Sequence, residues 1–315
     1  MDPHPKYTAG RVPEADIHVQ AQNFNNRAAS FLITPTSSSS AGNNYDEGIF
    51  LLLEALKLTE QDYHDEIKNE RSSPSSSSCC TRSPCSCSCQ YCSLESCLTM
   101  DGCNNDGSST PVAAAAAAAA VAAEEGINSW FVYRKPIFVN KDCIEGMHFM
   151  GATLSIIILF NLALAHHLKA IAGTSTTNTT SYKLLLQALQ LYKLAYQLHV
   201  DIIHHSQQQQ QPSSQDNKGA TSLRLTMIIF NNLGDIHRIT GDKEKHIMCL
   251  QHLLTLIMFI LDSSKYKDTY SSSAGEYYAT PNSTEMMDGF HQNVSAIMFG
   301  YENHNTSSTV YALAA

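Results

Sequence analysis

The chain has 315 residues, a formal net charge of −9 and only 16% charged residues. That balance argues against a general electrostatic grip on nucleic acid or on an anionic membrane, since both require basic surface. Low-complexity tracts shorten the part able to build a core, so the length allows one large or two small domains.

The opening MDPHPKYTAGRVPEADIHV carries no basic-then-apolar secretory pattern, which points to the cytosol or nucleus and to reduced cysteines. In that setting the Asn-X-Ser/Thr positions Asn178, Asn282, Asn293 and Asn305 are expected to be polar loop residues and not glycan acceptors. Residues 1–18, with Pro3, Pro5, Gly10 and Pro13, read as a loose tail. From about Ala21, Phe24, Ala28, Phe31 and Leu32 predict a short helix that ends at Pro35 and Ser37–Ser40. Tyr45-Asp46-Glu47-Gly48-Ile49 opens a second helix, with Ile49, Leu52, Leu53, Ala55 and Leu56 along it.

Residues 66–125 leave this pattern: serine, cysteine, asparagine and glycine dominate, then alanine. Large apolar side chains are too few to offset an ordering entropy of ~1–2 kcal/mol per residue, so a disordered insertion is expected. Trp130-Phe131-Val132-Tyr133-Arg134-Lys135 holds the only tryptophan, and Pro136 forbids a continuing helix. With Ile137-Phe138-Val139 following, a short strand or extended strap laid across the helices is predicted.

The longest apolar run, Ala152 to Ala165, is interrupted by Thr153, Ser155 and Asn161. A bilayer span needs ~20 mainly apolar residues, so a buried helix is expected and no membrane segment. Leu159, Leu162, Ala163 and His166 mark one helix face; after the polar turn Gly173–Ser181 a second helix carries Ala188, Tyr192 and Ala195. Gln207–Gln211 and Pro212-Ser213-Ser214 form a linker. Phe230, Leu233, Ile236 and His237 then share a helical face, with Gly234 inside it. A glycine kept there implies the close approach of another backbone. Gly241 can take the left-handed C′ conformation, Asp242 can cap the next helix, and Glu244 suits its first turn. That next helix presents Ile247, Leu250, Leu253, Leu254 and Ile257. Met287, Phe290, Val294, Ile297 and Met298 within Met286–Phe299 predict a final capping helix, and the segment from Tyr301 to Ala315 a polar tail.

The stretch Phe230–Leu254 resembles the tetratricopeptide repeat, a 34-residue helix-turn-helix unit. Phe230, Leu233, Gly234 and His237 match its first helix and Gly241-Asp242 its turn. His246, Leu250 and Leu253 match its second helix, with His246 and Leu253 standing where the family has alanines. The spacing recurs at Leu159–Ala195 and, more degenerately, around Phe24–Leu58. The resemblance implies an all-α fold: a short α-solenoid of helix hairpins over residues 19–300, interrupted by the 66–125 insertion, with tails at 1–18 and 301–315. Three repeats are about the minimum for a stable stack, so self-association could complete it.

In that family the first helices line a groove that grips peptides, often through an asparagine bonding peptide backbone. Asn161 and Asn232 match that asparagine by position, and His167, Asn231, Asp235 and Arg238 match other groove-facing positions. The resemblance therefore implies a non-catalytic scaffold whose partner is an unidentified protein or peptide. The lysines of the carboxylate-clamp subtype are missing.

The sharpest chemical signal outside the repeats is Cys85-X-Cys87-X-Cys89-X-X-Cys92, whose spacing could wrap a soft ion such as Zn²⁺ or Cu⁺. It is kept as an alternative metal-buffering or redox reading against a low-complexity tract with incidental thiols. The chain has fourteen histidines, none in metalloprotease spacing; His166 and His237 are expected in the core and His204-His205 at a helix end. No phosphate loop, nucleophile elbow or kinase signature occurs, so neither enzyme activity nor a cofactor is expected.

Overall fold

The computed structural model describes residues 14–33, 41–69, 94–99, 130–173, 178–209, 219–270 and 281–300. Among these residues the chain is all-α, without a strand. Nine helices form among the described residues: α1 (Glu14–Ile33), α2 (Ala41–Asn69), α3 (Leu94–Thr99), α4 (Lys141–Glu145), α5 (Ala152–Ala172), α6 (Asn178–Gln209), α7 (Gly219–Ile239), α8 (Lys243–Tyr270) and α9 (Pro281–Gly300). Each long helix packs on the next, α1 on α2, α2 on α5, α5 on α6, α6 on α7, α7 on α8 and α8 on α9, and α1 also reaches α5. Residues 130–140 are extended and non-helical.

The packing follows from where the small and large side chains fall. On α1, Ala21, Ala28 and Leu32 are buried; Gly48, Leu51, Leu52 and Ala55 answer from α2. A Cβ on Gly48 would lie 3.6 Å from the Ala28 carbonyl oxygen, so the two helices pack closely there. Helix α5 is buried almost throughout from Leu154 to Ala165. It is long and apolar enough to cross a membrane, but 78% of that apolar window is buried inside the fold, where it serves as core. Residues Lys243–Asp262 of α8 pass the same length and composition test with 28% buried, Leu250, Leu253 and Ile257 supplying the inward face. From α6, Ala188, Tyr192 and Ala195 are fully buried, and the Tyr192 ring packs 5.8 Å from Phe160.

The turn between α7 and α8 forms as its residues require. Gly241 sits at φ +79. The Asp242 N–H donates to His237 C=O at 2.9 Å and the Gly241 N–H to Arg238 C=O at 3.2 Å, closing a Schellman cap. Asp242 then caps α8, its Oδ1 accepting from the Lys245 N–H at 3.2 Å.

Several boundaries differ from the sequence expectation. Residues 14–18 are the first turn of α1 and not tail. The segment 66–125 is not uniformly outside the fold: α2 continues to Asn69, and Leu94, Cys97 and Leu98 of α3 are buried, with α3 packed on α7. Two apolar residues three or four steps apart suffice to seat one helical turn. The polar turn expected over 173–181 is shorter, because α6 starts at Asn178. Gly234 also has a different reason from the one expected. The nearest atoms to a Cβ placed on it are side-chain atoms, Cys249 Cβ at 3.5 Å and Leu250 Cδ2 at 3.8 Å, and not a neighbouring backbone. The rest of 66–125 and the 301–315 tail lie outside the described residues.

Candidate functional site

The extended segment Trp130–Asn140 lies in a seat lined by asparagines from four helices. An asparagine amide presents an acceptor and a donor side by side, so it can pair with the N–H and C=O of one extended residue as a neighbouring strand would. Asn293 on α9 does this for Phe131: Oδ1 accepts its N–H at 2.9 Å and Nδ2 donates to its carbonyl at 2.7 Å. Asn232 on α7 does it for Tyr133, with both bonds at 3.0 Å. Asn161 on α5 holds Ile137 with both at 2.8 Å. Asn26 on α1 holds Val139 with both at 2.7 Å.

The spacing fits the chain's geometry. Residues 131, 133, 137 and 139 share one parity, and in an extended chain alternate residues turn their polar backbone groups the same way. Eight residues of extended chain cover about 26 Å, enough for three steps between helix axes at 8–10 Å each. The strap runs against the helix order, from α9 to α1. Pro136 falls between the clamped pairs, where no asparagine requires the N–H that proline lacks.

The amides are themselves organised into two copies of one arrangement. Asn25 donates to the Ile137 carbonyl and to Asn26 Oδ1, both at 3.2 Å, and accepts from Asn161 Nδ2 at 2.9 Å. Asn231 donates to the Phe131 carbonyl and to Asn232 Oδ1, both at 3.2 Å, and accepts from Asn293 Nδ2 at 2.7 Å. Each adjacent asparagine pair thus binds two strap residues together with a third asparagine from the next strap-lining helix. Asn232 Nδ2 spends its second hydrogen on the Tyr192 hydroxyl at 3.0 Å. Burial pushes that hydroxyl far above its ordinary range, outweighing the opposing Asn232 bond, so it stays protonated.

At its Trp130 end the strap meets an ion group in which His167 and Asp235 are buried and Arg238 is partly exposed. His167 Nε2 lies 3.1 Å from Asp235 Oδ2, and Arg238 donates to Asp235 Oδ1 from Nε at 3.0 Å and from a terminal nitrogen at 2.7 Å. Burial pushes the Asp235 carboxyl up, but the His167 hydrogen bond and charge and the Arg238 guanidinium outweigh it and hold it below the carboxylate range. The guanidinium sits 5.6 Å from the centre of the Trp130 ring, which also meets His246 at 4.9 Å. His246 reaches over Gly234, its Nδ1 2.7 Å from the Gly234 carbonyl, which is how histidine fits where the repeat pattern has alanine.

The six residues expected to line a groove therefore converge. Asn161, Asn231 and Asn232 touch the strap backbone, Arg238 touches Trp130, Asp235 holds Arg238 and His167 holds Asp235. The occupant they meet is the chain's own segment. Sequence reasoning missed Asn25, Asn26 and Asn293. The first two had a readable signal, since Phe24-Asn25-Asn26 repeats as Phe230-Asn231-Asn232 and, in part, as Phe160-Asn161. Asn293 was expected in a loop; it lies in α9, 1% exposed, and its side chain is committed to the strap. Beyond the strap, Gln22 donates to the His148 carbonyl at 3.0 Å and His18 Nε2 accepts the Met150 N–H at 2.9 Å. His237 is buried as expected, while His166 is half-buried.

Among the described residues, no three His, Cys, Asp or Glu side chains are grouped so as to hold a metal ion. Cys85, Cys87, Cys89 and Cys92 lie outside the described residues. No protein-family model, curated protein or solved structure matches the chain.

Proposed function

We propose that this protein is a non-catalytic interaction scaffold: a short solenoid of tetratricopeptide-like hairpins whose strap-lining helices hold an extended polypeptide by its backbone. The observation that carries this reading is the set of four asparagines, each pairing both polar groups of one strap residue. Backbone-directed amides place little demand on side-chain identity, and amides are neither acids nor bases at working pH, so the arrangement suits holding and not proton transfer. The buried His167–Asp235 pair supports the same reading, because through Arg238 it places a guanidinium 5.6 Å from the centre of the Trp130 ring at the start of the strap. The expected partner is a protein or peptide.

The test is quantitative affinity purification comparing the wild-type chain with Asn232→Ala/Asp235→Ala, with circular dichroism to establish that the variant is folded. Partners held by wild type and lost by the folded variant are the expected result. An unchanged partner set on the folded variant overturns the groove reading.

A further inference from the structure

The strap is held by two equivalent clamps, but its two halves are tied down differently. The half on Asn25, Asn26 and Asn161 runs straight into α4, capped by Asn140 Oδ1 on the Asp142 N–H at 2.9 Å, and from there into α5. Ile137, Val139, Cys143 and Met150 along it are buried in the core, with Phe138 half-buried. The half on Asn231, Asn232 and Asn293 buries Val132 and Tyr133, but its first two residues, Trp130 and Phe131, are only half-buried, and the indole Nε1 has no hydrogen-bond partner among the described residues. Between them stand Arg134 and Lys135, both exposed, then Pro136. Among the described residues, no asparagine clamps the strap between Tyr133 and Ile137.

The second seat also carries a side-chain selector. Gly289 leaves α9 bare where the Phe131 ring rests: a Cβ there would fall 2.3 Å from the ring. Phe290 meets the same ring edge-on at 5.8 Å. A backbone clamp that ignores sequence, joined to one slot that needs a flat ring, is what recognition of an extended segment requires.

We propose that residues 130–133 are a built-in plug, exchangeable for an extended segment of a partner protein that carries an aromatic ring in the Phe131 position. This rests on the scaffold reading and names its partner's chemistry. Neither clamped position tolerates proline, because Asn293 and Asn232 each accept that residue's N–H. The plug acts as a tethered competitor. A tethered segment presents an effective concentration of order mM, so a free peptide binds weakly until the plug is weakened. Its apparent affinity then rises with the fraction of open seats.

The probe is a fluorescein-labelled peptide with the sequence of residues 127–135, followed by anisotropy on the full chain, alongside native-state hydrogen exchange of the unmodified protein. The amides of Phe131 and Tyr133 should exchange at least about tenfold faster than those of Ile137 and Val139, reporting local opening of the plug. Phe131→Ala should bind the peptide at least about tenfold more tightly than wild type, and adding Asn232→Ala should abolish the gain. Equal protection of the four amides, or no gain in peptide affinity with Phe131→Ala, overturns the plug. Hydrogen exchange needs neither a folded variant nor a partner, so a permanent strap is distinguished from failure of the scaffold reading, which the affinity purification tests separately.

Discussion

The two asparagine clamps are close to chemical copies, and the comparison between them separates hydrogen bonding from tethering. Each has an adjacent pair, Asn25-Asn26 or Asn231-Asn232, and a third asparagine, Asn161 or Asn293. Each binds two strap residues separated by one, with bond lengths from 2.7 to 3.2 Å in both. Asn25, Asn161, Asn231, Asn232 and Asn293 are all nearly inaccessible. What differs is the setting. The first clamp lies among α1, α4 and α5, with His18 and Gln22 extending its grip to residues 148–150. The second ends at a half-buried tryptophan on an arginine. Equal polar chemistry with unequal tethering means the same substitution should cost different amounts in the two places.

The largest expected effect is Asn161→Leu. It removes the acceptor for the buried Ile137 N–H and strands Asn25 Oδ1, at ~1–3 kcal/mol per orphaned group, so a loss of about 2–6 kcal/mol is expected. Asn293→Leu strands the equally buried Asn231 Oδ1, but the Phe131 N–H it also releases belongs to a half-buried residue that water can reach. There the loss should be about 1–3 kcal/mol, from the one buried orphan. Urea unfolding of both variants checks the pair, and equal losses break the comparison.

Acid should sharpen it. His18 is buried and held at about 4 from an ordinary 6.5, because burial disfavours the charged ring. Between those values the unfolded chain binds the extra proton and the folded chain does not, so stability falls as pH falls. The loss should be about 2–3 kcal/mol from pH 7 to pH 4.5, borne by the first clamp. His246, beside Trp130, is also held low, first by burial with Arg238 adding to it and the Gly234 bond and Asp235 opposing, so the second clamp contributes in the same direction. Asp235 behaves differently: its lowered carboxyl keeps its contribution until pH falls below its unfolded value of 3.8. Unfolding curves of wild type and His18→Gln across that range provide the check, and a parallel pH profile for the two removes His18 as the cause.

Gly289→Ala should touch the second clamp alone. The new Cβ would occupy the Phe131 ring position, costing about 1–3 kcal/mol by overpacking and releasing the strap end. Hydrogen exchange should quicken at Phe131 and Tyr133 and stay unchanged at Ile137 and Val139; a change at all four would make the strap one unit.

How much of this was legible in the sequence depends on the kind of signal. Long helices with periodic apolar faces were readable, as was the extended strap, because Pro136 and the aromatic run exclude a helix there. The glycine turn was readable because Gly241 and Asp242 each have one suitable role. Asn161 and Asn232 were found through the positions they share with the tetratricopeptide pattern. What they bind was not readable, because a side-chain amide gives no sign of whether its partner belongs to the same chain. The buried Asn25 and half-buried Asn26 went unnoticed because an amide beside a core face looks like a break in periodicity. Asn293 lies on the face that Phe290 and Val294 mark as inward, but its Asn-X-Ser pattern read as a polar loop residue.

Gly234 offers the smallest and most discriminating change. In a helix interior glycine costs about 1 kcal/mol relative to alanine, so a buried glycine is expected to be repaid by a close contact. Here the nearest atom to an added Cβ is Cys249 Cβ at 3.5 Å, an ordinary separation, and the closest approach of His246 is 3.9 Å. Gly234→Ala should therefore be neutral or stabilise the chain by up to about 1 kcal/mol. The His246 bond to the Gly234 carbonyl should survive, since it uses the backbone and not the missing side chain. A rise in the urea midpoint with unchanged exchange at Tyr133 is the expected result. A loss of stability together with faster exchange at Tyr133 would mean that the α7–α8 hairpin and the second clamp are mechanically one piece. The two clamps would then differ in how their floors are built and not only in how the strap is tied.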